Sequence, residues 1–382
     1  MVGNNKFNIM DNDKRIHITH VIYGFVTGGL ENGIVNIINS LPEGEYRHSI
    51  VSISKHDPNF ALRIKKNNTE IYDLNKGKNN YLWMFKFWKL LLTLKPNICH
   101  SRNLSALEAQ LPAFLAGIPV RIHGEHGWDM NDLGGCNKKY QLLRKLIKPL
   151  IHKYVALSLE AETYLAEIIK VKTSKIQRIC NGVDITKFNV NKNRELLPKN
   201  FNNENSIVFG TVGRLAEVKN QTFLVKAFAE LWQKSPEVRD KMKLVIVGDG
   251  VLLPKLKEVV NGVGAEDAVW FTGRRDDVKE LMNQMDVFIL PSLAEGISNT
   301  LLEAMASGLP FIATNVGGNA DLILPEHKKF HIIDVNNNEQ LIAAMNIYLN
   351  SPKLLEEDSQ LVREHCVENF SIELMVDKYH QL

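Results

Sequence analysis

Short apolar runs, each followed by a longer stretch of helical periodicity, recur along the whole 382-residue chain. RIHITHVIYGF reads as a first strand, and GGLENGIVNIINSLP turns through glycines into a helix that stops at Pro42. HSIVSIS, EIYDL, NICHSR, VRIHGEHG and KYVALS continue the series. Strands that alternate with helices cannot close as hairpins, because each helix carries the chain back to the edge where the last strand began. The order therefore predicts an α/β fold with a parallel, doubly wound sheet. The rhythm then breaks. Residues 189–205 are rich in Asn and Lys, lack an apolar period and read as a flexible linker. It restarts with SIVFGTVGRL, KLVIVGDG, AVWFTG, DVFILPS and PFIATNVGG, interleaved with helices such as NTLLEAMASGLP. Two nucleotide-fold domains in tandem are expected, residues 1–188 and 206–368, with a crevice between them. FSIELMVDKYHQL, within 369–382, reads as a final amphipathic helix that packs back on the first domain.

Hydrophobic residues make up 45% of the chain, enough for two cores. Charge is divided unevenly. Residues 1–185 hold 25 basic against 16 acidic side chains, and residues 186–382 hold 21 against 27. A basic first half suits an anionic partner, whether a phospholipid surface, a lipid-linked phosphate or a nucleic acid. A nucleic-acid binder also needs a basic stripe with aromatic platforms, and the sequence shows none. The four cysteines form no CxxC pair and no metal-ligand spacing, which fits a reducing cytoplasm. The polar N-terminus lacks a signal-peptide core, and no apolar run reaches the ~20 residues of a membrane span.

Two strand-loop-helix turns in the second half carry chemistry. In GTVGRLAEVKN, Arg214 and Lys219 stand in the loop between a strand and a helix. A guanidinium fork and an ammonium there can neutralise a diphosphate; the alternative is a pair of solvated cations. In PSLAEGISNTLLEAMASG, Gly296 lets the backbone approach a ligand, and Ser298 is placed to cap the helix. The amides of Asn299 and Thr300 then form an anion-binding helix start. Glu303 lies one turn further in, where a carboxylate can accept both hydroxyls of a ribose or complement the helix dipole. Glu295 precedes the glycine at the carboxyl end of a strand, the edge where open α/β sheets bind ligands.

GRLAEVKN, LVIVGDG, FTGRRDDV and PSLAEGISNTLLEAMASGLPFIATNVGG resemble the donor domain of glycosyltransferase family 4, the retaining group 1 enzymes of GT-B fold. The likeness runs almost continuously from Val208 to Asp321, and Glu295 with Glu303 reproduces the family's Glu-x7-Glu pattern. GGLE, EHG and NGVD in the first half add to it. The resemblance implies transfer of a sugar, with retention, from a nucleotide diphosphate carrier, UDP by frequency, to a saccharide or lipid-linked saccharide. Cell-surface polysaccharide or lipopolysaccharide synthesis is the implied setting. It implies that Arg214 and Lys219 bind the diphosphate, and that Gly296, Ile297, Ser298, Asn299 and Thr300 hold phosphates or sugar hydroxyls through their backbone. Glu303 holds the ribose, Glu295 touches the transferred sugar, Arg274 passes the base, and Gly248 shapes the wall beside it. His126, in HGEHGW, corresponds to the family's active-site histidine, with His123 deeper in the strand. Gly28 and Gly29 lie where the family's first glycine loop meets the donor phosphate. Read without the resemblance, they mark only a tight turn.

No carboxylate pair of DxD type appears in the right setting, so no metal and no cofactor are expected. Arg102 and Asn103, after NICH, are candidates for the acceptor side. In KKYQLLRKLIKPLIHK, residues 138–153, Leu142, Leu143, Leu146, Ile147, Leu150 and Ile151 fall on one helical side. Arg144, Lys145, Lys148 and His152 fall on the other. That face is expected either to be simply solvated or to rest on the anionic inner leaflet of the cytoplasmic membrane. A sugar-nucleotide epimerase on the same fold is the main alternative. A non-catalytic sugar-nucleotide-binding subunit and an NAD-linked oxidoreductase are weaker ones. The second lacks GxGxxG, and the first leaves Arg214, Lys219, Glu295 and Glu303 without a purpose.

Overall fold

The computed structural model describes residues 13–77, 81–128, 130–191, 194–201 and 205–382. Thirteen strands are described: β1 (Ile16–Ile22), β2 (Tyr46–Ser52), β3 (Thr69–Asp73), β4 (Ile98–Arg102), β5 (Val120–Glu125), β6 (Lys153–Ala156), β7 (Ile176–Arg178), β8 (Ile207–Val212), β9 (Met242–Val247), β10 (Val269–Gly273), β11 (Val287–Leu290), β12 (Phe311–Thr314) and β13 (Ile332–Ile333). They build two sheets, ordered β3-β2-β1-β4-β5-β6-β7 and β10-β9-β8-β11-β12-β13. Pairing is parallel in both, as in Ile16 opposite Tyr46 and Ile207 opposite Met242. The α/β architecture expected from the alternating pattern is present. β7 and β13, three and two residues long, are too short to leave a periodic signature.

The chain divides into two compact units, residues 1–123 with 147–153, and residues 124–146 with 154–382. In the first, Trp83, Phe87 and Leu91 on the helix Leu82–Leu94 pack with Val21, Val51 and Cys99 of the sheet. In the second, Phe209, Leu244 and Ile246 face the helix Gln221–Lys234 through Leu224 and Phe228. Leu301, Leu302 and Met305 pack on the other face with Phe288 and Phe311. Runs such as MKLVIV and VFIL are continuously apolar because both faces of this sheet are covered.

Two expectations are corrected. The break at 189–205 does not separate the units. Leu197 and Phe201 are buried in the second unit's core, and Arg194 pairs with Asp286 at 2.7 Å. A segment without period can still be anchored by a few apolar side chains and one charge. Residues 192, 193 and 202–204 of that expected linker, and 1–12 of the expected first domain, lie outside the described residues. The second correction concerns residues 138–153. A helix does span Lys138–Ile147, but Arg144 is buried and Leu142 and Leu146 are exposed. Arg144 turns inward because Glu125 Oε1 accepts from its Nε at 2.7 Å and Asp132 Oδ2 from its Nη1 at 3.1 Å. Two buried carboxylates outweigh the apolar stripe in setting the helix's rotation.

The C-terminal helix Ile372–His380 is capped by Ser371, whose hydroxyl accepts from the Leu374 amide at 3.2 Å. It is tied to Val183 by two backbone hydrogen bonds, Val183 N to Phe370 O at 2.8 Å and Ile372 N to Val183 O at 3.1 Å. Val183 falls within the expected first domain, 1–188, but it belongs to the second unit of the structure, so this contact holds the helix within the second unit.

Candidate active site

Parallel pairing brings the carboxyl ends of β8, β9, β10 and β11 to one edge of the second sheet. After β8 the chain crosses to β9 on one side, while β11 lies on the other. The border between β8 and β11 is thus a topological switch point, the place at which open α/β sheets bind ligands. The two turns singled out in the sequence follow these two strands.

Lys219 closes the short turn after β8, and Glu295 lies in the loop after β11. Lys219 Nζ donates to Glu295 Oε1 at 2.6 Å, and Ser292 Oγ donates to the same oxygen at 2.6 Å. The Lys219 and Glu295 side chains are 28% and 10% exposed. The loops are also joined through their backbones, Leu293 N to Val218 O at 2.8 Å. Lys219 is therefore held at the switch point rather than trailing in solvent. Arg214, on the same loop, keeps its side chain exposed; its carbonyl accepts from Gln221 Nε2 at 3.1 Å. The structure thus brings Lys219, but not the guanidinium of Arg214, onto Glu295.

Gly296 is packed backbone to backbone. A Cβ there would lie 2.2 Å from the His126 carbonyl oxygen, so no other residue fits without moving that chain. On the far side, Gly318 N donates to Gly296 O at 2.7 Å. His126 is half-buried, and its carbonyl is engaged against this turn. Ser298 caps the helix Asn299–Ala306 as expected, accepting from Leu301 N at 3.3 Å. The amides of Asn299 and Thr300 come before that bond, where a helix supplies no carbonyl. Ile297 is buried in the core cluster, so its backbone is what the turn can present. Glu303, half-buried, follows Asn299 by four residues and lies on its face.

Gly248 has φ +139°, and a Cβ on it would come within 2.0 Å of Gly213 O. Its amide donates to Gly273 O at 2.9 Å and Gly213 N donates to Val247 O at 2.9 Å, and these two bonds draw the ends of β8, β9 and β10 together. Arg274 follows directly and is exposed. Among the described residues, no group of three His, Cys, Asp or Glu side chains is placed to hold a metal ion.

Sequence reasoning missed three residues of this site. Asn181 Nδ2 donates to Asn299 Oδ1 at 2.8 Å and so orients the helix start. Its signal was the NGVD quoted above. Ser292 fixes Glu295; a serine after a strand carries no pattern that distinguishes it. Trp128, in HGEHGW, donates from Nε1 to Glu160 at 3.0 Å and packs edge-on against Tyr164 with centroids 4.8 Å apart. It lines a small pocket that also contains Glu295 and Gly296.

The first unit places its candidates differently. Gly28 precedes the helix Gly29–Ser40, and the Glu31 carboxylate would lie 2.2 Å from a Cβ at Gly28. A carboxylate thus occupies that helix start, and burial raises its pKa. Arg102 is 1% exposed, and its Nη1 meets His20 Nδ1 at 3.1 Å. It is a core residue of the first unit, not a surface contact for an acceptor. Asn103 adopts φ +61° where the chain turns into the next helix. His123 is buried, with Nδ1 2.8 Å from Ser101 Oγ.

Two family models cover most of the chain. Glycosyltransferase Family 4 matches residues 27–187 and Glycosyl transferases group 1 matches residues 192–364. The chain is 30% identical over 305 residues to an Escherichia coli UDP-Gal:alpha-D-GlcNAc-diphosphoundecaprenol alpha-1,3-galactosyltransferase, covering 78% of each chain. It belongs to glycosyltransferase family 4. This family 4 glycosyltransferase is also 23% identical over 380 residues to a Campylobacter jejuni enzyme, a GalNAc-alpha-(1->4)-GalNAc-alpha-(1->3)-diNAcBac-PP-undecaprenol alpha-1,4-N-acetyl-D-galactosaminyltransferase, over 96% of this chain and 97% of that one. Anabaena Alr3699/HepE, solved in complex with UDP and glucose, shares the fold with a TM-score of 0.76 and 18% identity, over 96% of this chain and 99% of that one. The GT-B glycosyltransferase architecture is thereby established, and nothing among these relatives favours the epimerase alternative.

Proposed function

We propose that this glycosyltransferase moves a sugar from UDP to a lipid-linked saccharide with retention of configuration, at the inner face of the cytoplasmic membrane. Polysaccharide or lipopolysaccharide synthesis would be its setting. The observation that carries the reading is Lys219 held at the switch point on Glu295, whose loop leads into the helix start capped by Ser298. The donor and acceptor classes are supported by two relatives whose acceptors carry undecaprenyl diphosphate, one of them a UDP-galactose enzyme.

The mechanism follows from where charge grows. As the bond from the sugar's C1 to the diphosphate loosens, positive charge spreads over the ring and negative charge over the leaving phosphate. Lys219 and the amides of Asn299 and Thr300 stabilise that negative charge; Arg214 adds a mobile cation. They do so without a metal. A diphosphate competes with Glu295 for Lys219, leaving the Glu295 carboxylate to accept from a sugar hydroxyl. Glu303 accepts from the ribose, the backbone at Arg274 borders the base beside Gly248, and the His126 imidazole meets the sugar. The leaving phosphate oxygen takes the acceptor's proton, so no separate base is needed.

The test is incubation of the purified protein with a panel of UDP-, GDP- and ADP-sugars, a prenyl-diphosphate-linked N-acetylglucosamine and EDTA. A product heavier by one sugar, formed only from a UDP-sugar and carrying an α-linkage by NMR, is expected. Transfer only from GDP- or ADP-sugars would overturn the carrier, an inverted linkage the stereochemistry, and loss of activity in EDTA the metal independence.

A further inference from the structure

No helix of the described residues is long and apolar enough to cross a membrane. An acceptor of the class proposed above would nonetheless be confined to one. The helix Leu82–Leu94 of the first unit turns Trp83, Phe87 and Leu91 into the core. Its opposite stripe carries Leu82, Phe85, Lys86, Lys89 and Leu92, all exposed, with Leu82 at 63% and Phe85 at 52%. The helix Gln110–Leu115 packs beside it and exposes Phe114 and Leu115, the latter at 64%. Large apolar side chains gathered on neighbouring helices are not the scattered exposure of an ordinary surface.

Charge decides what covers this face. Between Asp73 and Glu125 the sequence holds a single acidic residue, Glu108, against seven Lys and Arg. Lys89 Nζ lies 4.6 Å from the centre of the Phe85 ring, and the Arg121 guanidinium 5.4 Å from that of Phe114. Lys89, exposed beside Phe85, has the arrangement that lets a stem lie along hydrocarbon while its head reaches a polar layer, whereas the Arg121 guanidinium is tied to the carbonyls of Ile118 and Leu150. A second copy meeting this face about a twofold axis would set Lys86 and Lys89 against like charges, with Glu108 the single acid that this stretch of sequence supplies to pair them. A bilayer with anionic headgroups satisfies both features: acyl chains receive Leu82, Phe85, Phe114 and Leu115, and phosphates receive Lys86 and Lys89.

We propose that the stripe Leu82–Leu92, with Phe114 and Leu115, is the surface by which this protein docks on an anionic membrane. The inference deepens the lipid-linked acceptor reading and is tested without it. The full chain and two variants, Leu82→Ser/Phe85→Ser and Lys86→Glu/Lys89→Glu, are sedimented with phosphatidylcholine vesicles, with and without phosphatidylglycerol. Melting curves establish that each is folded, and UDP titration that its donor site is intact. The parent should bind only vesicles containing phosphatidylglycerol, and each variant should bind them at least about tenfold more weakly. UDP affinity should stay unchanged, and a Lys138→Glu/Lys145→Glu control should bind like the parent. Variants that bind vesicles like the parent, a control that alone loses binding, or a dimer abolished by Leu82→Ser/Phe85→Ser would each overturn the proposal. Absence of UDP binding in every protein would count against the donor reading alone.

Discussion

The two sheets solve the same packing problem with different residues. In the second, β8 to β13 contain no histidine, and their interiors are almost wholly apolar. Its chemistry-bearing groups stand beyond the strand ends, in the loops with Lys219, Gly248 and Glu295. In the first, His17, His20, His48, His100 and Arg102 are buried within the strands themselves, on β1, β2 and β4. They form a polar layer in which His20 Nε2 lies 3.1 Å from His48 Nδ1, and His17 Nε2 2.7 Å from Ser49 Oγ. Burial lowers the pKa of His17 and of His48 to about 4, and pushes His20 well down with help from Arg102. A sheet that keeps packing and chemistry apart can carry a ligand on rigid strands. One that mixes them depends on the protonation of its interior.

Four experiments can break or sharpen this contrast. The largest effect is expected from Lys219→Ala, which removes the cation fixed on Glu295 at the switch point. The chemical step should fall by about 10²–10³-fold, as for a lost preorganised donor, with little change in melting, because a part-exposed ion pair contributes about 1 kcal/mol or less. Single-turnover kinetics beside a melting curve separates the two, and unchanged turnover would remove Lys219 from the mechanism. Next is Gly248→Ala. The methyl meets Gly213 O on a backbone at φ +139°, so a loss of about 2–3 kcal/mol is expected in denaturant unfolding. Glu303→Ala should follow, weakening UDP binding about tenfold, the loss of one charge-assisted hydrogen bond, with turnover at saturation nearly preserved. Equal affinity by titration would move the ribose elsewhere.

The smallest expected effect is on pH. A histidine whose folded pKa is depressed binds its proton more readily when unfolded, so stability rises with pH between the two values. The contribution of His17 and His48 is complete above about pH 6.5 and is lost as pH falls towards about 4. Amide exchange, corrected for its intrinsic rate, should increase in β1 and β2 over that window before it does in β8 and β11. The reverse order would show that the buried layer is not the weaker sheet.

The same contrast explains what could be read from the sequence. Strand-end glycines and an apolar strand interior leave contiguous words such as LVIVGDG and PSLAEGISNTLLEAM, so the turns at these strand ends and the Ser298 cap were legible. Arg102 was misplaced because a basic residue after a strand usually faces solvent, and only the histidine on β1 shows why it turns inward. Arg144 misled for a like reason: the carboxylates that draw it in, Glu125 and Asp132, stand 19 and 12 residues away. Asn181 lies 118 residues from Asn299, beyond any local pattern. Periodicity reports local burial, whereas these partners are brought together only by the fold.

The central claim is that Lys219 and the start of the helix Asn299–Ala306 hold the departing diphosphate at the β8–β11 switch point. A crystal structure of the protein with UDP tests it directly. The account predicts the diphosphate within hydrogen-bonding distance of Lys219 Nζ and of the amides between Gly296 and Thr300, with Glu303 on the ribose. A diphosphate bound away from Lys219 and from that turn would contradict it.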